Sequence, residues 1–225
     1  MGRAPARQTA VQTKRARLLS AGFLAAVGAL LLFSWLAREV ALGEELWFDT
    51  AVRDAVHSWA SPRLTYAMTG ITQLGAPTFL LAITGFLIWR LTSKGRRRVA
   101  VLLVIAAVGA EILDQLLKLL FHRERPGSFF GYPQPASFSF PSGHAISACV
   151  FYGVVAALIT ARFESRLGKA LVWTAAAILA VLVGLSRIYL GVHYPSDVVA
   201  GYAAAVVWVA ALREAYRRWP NQSPM

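Results

Sequence analysis

Cysteine is all but missing: Cys149 is the single one in 225 residues. An intrachain disulfide and a cysteine-based metal centre are therefore excluded, and Cys149, set in an apolar run, reads as a packing residue. Charge is also scarce. Asp, Glu, Lys and Arg make up 15% of the chain against 57% hydrophobic residues, and the mean hydropathy is +0.53. That balance excludes an ordinary soluble domain and marks an integral membrane protein. Acid is rarer than base, 11 Asp and Glu against 23 Lys and Arg, for a net charge of +12. There is no internal repeat and no low-complexity linker, which points to one helical domain.

What is present is mostly apolar runs. After a polar, basic segment at 1–17 (Arg3, Arg7, Lys14, Arg15, Arg17), the run from Leu18 to Ala37 is long enough to cover roughly 30 Å, one bilayer core, at about 1.5 Å per residue. It is long for a signal peptide and lacks a small-residue cleavage site before Arg38 and Glu39, so it reads as a retained span. Further runs at 66–89, 99–121, 143–160, 170–185 and 197–212 bring the expected helices to six, the second bent at Gly75 and Pro77. Between the first two, Leu46, Trp47, Val52, Val56 and Trp59 recur at helical spacing among Glu44, Glu45, Asp49, Arg53 and Asp54. That pattern predicts an amphipathic helix lying in the interface, in which His57 has no evident role. The expected fold is thus all-α: a six-transmembrane-helix bundle with an interfacial helix between spans one and two. A single domain would occupy 18–214, with 215–225 as a second cytoplasmic tail.

The placement of the positive charges decides how to read the basicity. With the N-terminus inside, 16 of the 23 Lys and Arg fall in the segments assigned to the cytoplasm. The net charge is then a topology signal and gives no reason to expect a nucleic-acid partner, although the cluster at 94–98 leaves a basic docking patch as the weaker alternative. Both termini are expected inside a cell (inner) membrane, and the loops after spans three and five face outward together.

Those two loops hold the chemistry. In Ser186-Arg187-Ile188-Tyr189-Leu190-Gly191-Val192-His193-Tyr194-Pro195-Ser196-Asp197, Pro195 suits the first position of a helix. A tight turn there lets the Asp197 carboxylate fold back on His193, fixing the tautomer and freeing the other nitrogen to attack or to take a proton. Arg187 adds a fixed positive charge. The plainer reading is a capped loop with an interfacial histidine. The other loop starts from Lys118, Arg125 and Pro126, passes through an aromatic stretch (Phe129, Phe130, Tyr132, Phe138, Phe140), and ends at Pro141-Ser142-Gly143-His144. Ser142 and Gly143 at a helix start leave N–H groups unpaired, an anion seat with His144 in its first turn. Taken singly, Lys118 could snorkel, Arg125 could bind headgroups and His144 could be a plain helix-start residue. Together, two histidines, three cations and a helix N-terminus suit a multiply charged anion, with phosphate the obvious candidate. Glu111 and Asp114 share a face of span three with Lys118, and Asp114 is expected to pair with it, Glu111 with less reason.

Three stretches together resemble the signature of the type 2 phosphatidic acid phosphatase superfamily, the lipid phosphate phosphatases. They are Lys118 with Arg125-Pro126, then Pro141 to His144, then Ser186-Arg187 with His193 and Asp197. Every position is filled, in order, within residues 99–212. The resemblance implies that His193 attacks phosphorus to form a phosphohistidine, oriented by Asp197, while His144 protonates the leaving oxygen and then activates water. Lys118, Arg125, Arg187 and the N–H groups around Ser142 and Gly143 would neutralise the phosphoryl oxygens. It also implies that neither metal nor other cofactor takes part.

The expected partners are a lipid phosphate substrate and membrane lipids, with no obligatory protein partner. Phosphatidylglycerol phosphate, phosphatidic acid and undecaprenyl pyrophosphate all fit, and an Ala- and Arg-rich bacterial look favours the first and last. The loop aromatics either line a tail entrance or form an interface belt. A catalytically idle lipid-binding protein and a vanadate-dependent haloperoxidase relative are the alternatives. The first should have lost a motif residue, and the second has soluble relatives.

Overall fold

The computed structural model describes residues 4–44 and 46–219, with side chains for 22–44 and 46–219; Arg3 and the side chains of Arg7, Lys14, Arg15, Arg17 and Glu45 lie outside that range. The described residues form eight helices: α1 (Ala4–Ala41), α2 (Trp47–Ser58), α3 (Pro62–Gln73), α4 (Pro77–Ser93), α5 (Arg97–Phe121), α6 (Gly143–Thr160), α7 (Arg166–Tyr189) and α8 (Pro195–Arg218). No strand occurs among the described residues. Five helices are long and apolar enough to cross a membrane, or six when α3 and α4 count as one bent span. The fold is the expected all-α transmembrane bundle. The helix α1 begins at Ala4, ahead of its candidate span at Gly22–Ala41, and α8 continues through 215–218.

The second span is broken rather than merely bent, α3 and α4 meeting at 43°. Pro77 has no N–H to continue a helix backward, and it opens α4 where that loss costs least. A side chain at Gly75 would overlap Val183, so α7 closes into the break. The Leu74 carbonyl freed there accepts the Tyr152 hydroxyl at 2.9 Å, so a neighbouring helix satisfies the interrupted backbone.

Helix α2 lies on the bundle as its pattern predicts. Leu46 and Val56 are buried while Trp47 and Trp59 stay exposed, 82% and 60%. Helix α6 sits at the centre against α4, α5, α7 and α8. Close approach is bought by small residues, as is usual where lipid supplies no hydrophobic drive between helices. Gly201 of α8 faces the Ser142 carbonyl and the Ala145 methyl. The buried stripe of α5 climbs through Ala100, Leu103, Ala106 and Ala110 and ends in Asp114 and Lys118. An apolar face therefore delivers two charged groups to one end of the bundle.

Gly109 of α5 packs against the Trp208 ring of α8, whose indole N–H donates to the Ala106 carbonyl at 3.2 Å. Gly109→Ala is expected to overpack this seam and cost about 1–3 kcal/mol, seen as earlier melting in detergent. Gly85→Ala, where a methyl meets open space, should leave melting unchanged. Equal melting of the two variants would refute the close α5–α8 contact.

Candidate active site

The turn between α7 and α8 sets the histidine. Gly191, at φ +75°, takes a left-handed conformation that side chains resist, and the Phe129 N–H and Gly127 carbonyl press where its Cβ would be. The chain then enters α8 at Pro195, and the Asp197 carboxylate turns back: its Oδ2 accepts the Tyr194 N–H at 2.8 Å. The same oxygen accepts the Ser139 hydroxyl at 2.5 Å and lies 3.4 Å from His193 Nδ1. The carboxylate–imidazole contact expected from the four-residue spacing exists, but it is long, and Ser139 Oγ stands equally 3.4 Å from Nδ1.

The tautomer follows from the other nitrogen. His193 Nε2 lies 3.0 Å from Arg125 Nη1, and a guanidinium only donates, so Nε2 carries the lone pair and Nδ1 the proton. Arg125 is held in place by the Ser137, Phe138 and Val192 carbonyls. Burial and the charge of Arg187 lower its pKa to about 10, which leaves it a cation at neutral pH.

The remaining cations arrive from different elements. Lys118, on the last turn of α5, is buried and bonds Asp114 Oδ2 at 2.6 Å, so it is anchored rather than free to swing. Arg187, 2% exposed, donates to Thr72 Oγ1 at 2.8 Å and lies over the Tyr132 ring, while its Nε has no partner. The charges of Arg187, Lys118 and Arg125 all bear on the His144 imidazole. The anion seat needs one correction. The Ser142 N–H is taken by the Asp197 carbonyl at 2.9 Å, so the N–H groups ahead of the first helical bond, Ile146 to Ser142, are those of Gly143, His144 and Ala145. The Ser142 hydroxyl is buried without a partner. An orphaned hydroxyl and an orphaned guanidinium nitrogen, each costing about 1–3 kcal/mol to bury unbonded, suit an anion that accepts from both.

Two of the expected residues are placed apart from the cations. The Glu111 carboxylate is exposed beside an apolar groove between α4, α5 and α6 and meets the Lys118–Asp114 pair through Gln115, whose Nε2 donates to Glu111 Oε1 at 3.0 Å and to Asp114 Oδ2 at 3.3 Å. Of the loop aromatics, Phe140 is fully buried against Phe33 and Phe121, a core contact and neither entrance nor belt. Phe129 stacks on His57 and Phe130 on Tyr189, which gives His57 a packing role.

Other site residues had no sequence signal. Arg123 joins Asp197 Oδ1 at 2.7 Å and Asp49 Oδ2 at 2.8 Å. Ser196 bonds Asp49 through both its N–H and its hydroxyl. Asp49 and Arg123 are 74 residues apart, so neither charge pattern nor helical spacing could pair them.

Fold and site together define a helical membrane protein with a buried cluster of cationic side chains and two histidines at one end of its bundle. The model of the PAP2 superfamily matches residues 98–220. The chain is 37% identical over 167 residues to phosphatidylglycerophosphatase B of Bacillus subtilis (strain 168), covering 71% of this chain and 78% of that protein. It is 33% identical over 150 residues to an undecaprenyl-diphosphatase of Sulfolobus acidocaldarius, 64% and 66% of the two chains. The crystal structure of a transmembrane PAP2-type phosphatidylglycerolphosphate phosphatase from Bacillus subtilis superposes with a TM-score of 0.76 at 30% identity, covering 88% of this chain and 98% of that one. The chain belongs to the PAP2 superfamily and is a membrane phosphatase of it.

Burial pushes the His193 imidazole down to about 3, with Asp197 opposing the shift and Arg187 and Arg125 adding to it. The folded value lies below the ordinary 6.5, so the unfolded chain takes up a proton in the window from 6.5 to about 3 that the folded one refuses. Stability from this group therefore falls as pH drops through that window. Melting temperature in detergent should decline on acidification, and His193→Gln should flatten the decline. Identical slopes would show that the imidazole is not held neutral.

Proposed function

We propose that the chain hydrolyses lipid phosphates or pyrophosphates through a phosphohistidine on His193, on the outer side of a cell membrane. The observation that carries this reading is the convergence of His144, His193, Lys118, Arg125 and Arg187 at one helix N-terminus with few compensating acids. His193 Nε2, already the acceptor nitrogen, attacks phosphorus as the P–O bond to the lipid breaks, and His144 gives the leaving oxygen its proton. Nδ1–H stays directed at Asp197, whose charge offsets the positive ring. Arg125, which contacts Nε2, moves to a phosphoryl oxygen, with Lys118, Arg187 and the Gly143 and Ala145 N–H groups on the others. Water then attacks phosphorus, the N–P bond breaks, and His144 takes the water's proton. No step requires a metal.

A lipid substrate is supported by the groove of 340 Å³ between α4, α5 and α6, lined by residues such as Leu80, Leu103 and Val150. Ser147 on its wall lies one turn along α6 from His144, about 5 Å away along the helix axis, so a tail there leaves its phosphate near the imidazoles. The names of the relatives favour phosphatidylglycerol phosphate or a prenyl pyrophosphate over phosphatidic acid. The outward orientation rests on the distribution of Lys and Arg.

Purified protein in EDTA is expected to release phosphate from at least one of these three lipids offered in competition, and His193→Ala to release none. Turnover that survives His193→Ala, or that needs an added metal, would remove the phosphohistidine mechanism.

A further inference from the structure

We propose that Asp49 and Arg123 are positioning residues for the nucleophile: the Arg123 guanidinium, gripped by Asp49 of the interfacial helix, sets the Asp197 carboxylate against His193. The inference rests on the phosphohistidine reading and extends it to α2, an element outside the motif stretches.

The geometry is a closed relay. Arg123 Nη1 reaches Asp197 Oδ1 and Ser196 Oγ, both at 2.7 Å, and Nη2 reaches Asp49 Oδ2 at 2.8 Å. Ser196 returns two bonds to Asp49, its N–H at 2.8 Å and its hydroxyl at 2.6 Å. Both carboxylates are buried, Asp49 2% and Asp197 0% exposed, and the Tyr194 ring covers the guanidinium at 4.1 Å. Arg123 is the partner of Asp197 Oδ1, while Oδ2 is shared among Ser139, the Tyr194 N–H and His193. Without the guanidinium, Oδ1 would lose its charged donor, and the carboxylate would be fixed in rotation by the contacts of Oδ2 alone.

Charge arithmetic gives Asp49 a purpose beyond tethering α2. Asp49, Arg123 and Asp197 together carry one net negative charge. Were Arg123 paired to Asp197 alone, it would cancel the charge that steadies the ring when His193 becomes positive. Asp49 draws on the same cation and leaves Asp197 effectively anionic toward the imidazole. The burial of Arg123 opposes its charge, but the two carboxylates outweigh that and hold its pKa above the ordinary value.

The test uses the full-length protein in detergent, with kcat, KM and the pH dependence of kcat/KM on one lipid phosphate. His193 also faces Arg125 from the loop before α6, Arg187 from α7 and His144 from α6, while Glu44, His122 and Glu124 border a polar depression outside Arg123. All of these stay constant across the variants. Asp49→Asn is expected to lower kcat about tenfold or more with KM within about twofold, as is usual when a group behind a reacting one is lost. Its acid limb should not rise. Arg123→Gln exposes His193 to the full Asp197 charge, so its acid limb should move to higher pH while kcat falls. Divergent pH responses from two ends of one relay are not what loss of packing produces.

Wild-type kcat and profile in both variants would overturn the proposal, and so would a loss confined to KM. Should the charge variants fail to fold, Arg123→Lys keeps the buried charge but gives up the two-pronged contact with Asp49 and Asp197. A kcat drop at unchanged KM then supports the proposal, and wild-type kcat sinks it. Absence of turnover in the wild type counts against the proposed function, whereas the variants speak to Asp49 and Arg123.

Discussion

Lys118, Arg123, Arg125 and Arg187 are all drawn into one end of the bundle, where water cannot solvate them freely. Removing a charge from water costs several kcal/mol even after relaxation, so each must be compensated locally. The compensation is graded. Arg123 holds two carboxylates and Lys118 holds one. Arg125 has carbonyls and a neutral imidazole, and Arg187 has a hydroxyl with one nitrogen unpaired. The groups nearest the two histidines are thus the least neutralised, and the positive potential is left where a phosphoryl group would sit.

That gradient depends on close helix packing. The Asp114 carboxylate lies so near the Gly143 Cα that any side chain at 143 would collide with it. Glycine there admits both the Lys118–Asp114 pair and the N-terminus of α6 into one small volume, and Gly201 lets α8 approach from the other side. A bundle of bulkier residues would hold the same charges several ångströms apart, where the anion could not bridge them.

Helix α2 joins the outer face of the bundle to its buried charges. Its tryptophans face outward at its ends, while Asp49 points inward to Arg123. An amphipathic element on the outside of the bundle therefore has one foot in the site. The apolar groove between α4, α5 and α6 lies one turn along α6 from His144, so charged and apolar surfaces adjoin there.

The all-helical membrane bundle, the interruption near Gly75 and Pro77, and membership of the PAP2 superfamily were legible in the sequence, because span length, backbone-breaking residues and fixed motif spacing are local properties. The Asp114–Lys118 contact was legible for the same reason, four residues on one helix. Tertiary structure alone decided that Arg123 belongs with Asp49 and Asp197, that the Ser142 N–H is spent on α8, that Glu111 turns to the groove and that Phe140 is core. Each of these depends on which faces of distant segments meet, and packing across 50 to 150 residues leaves no periodic trace in the order of amino acids.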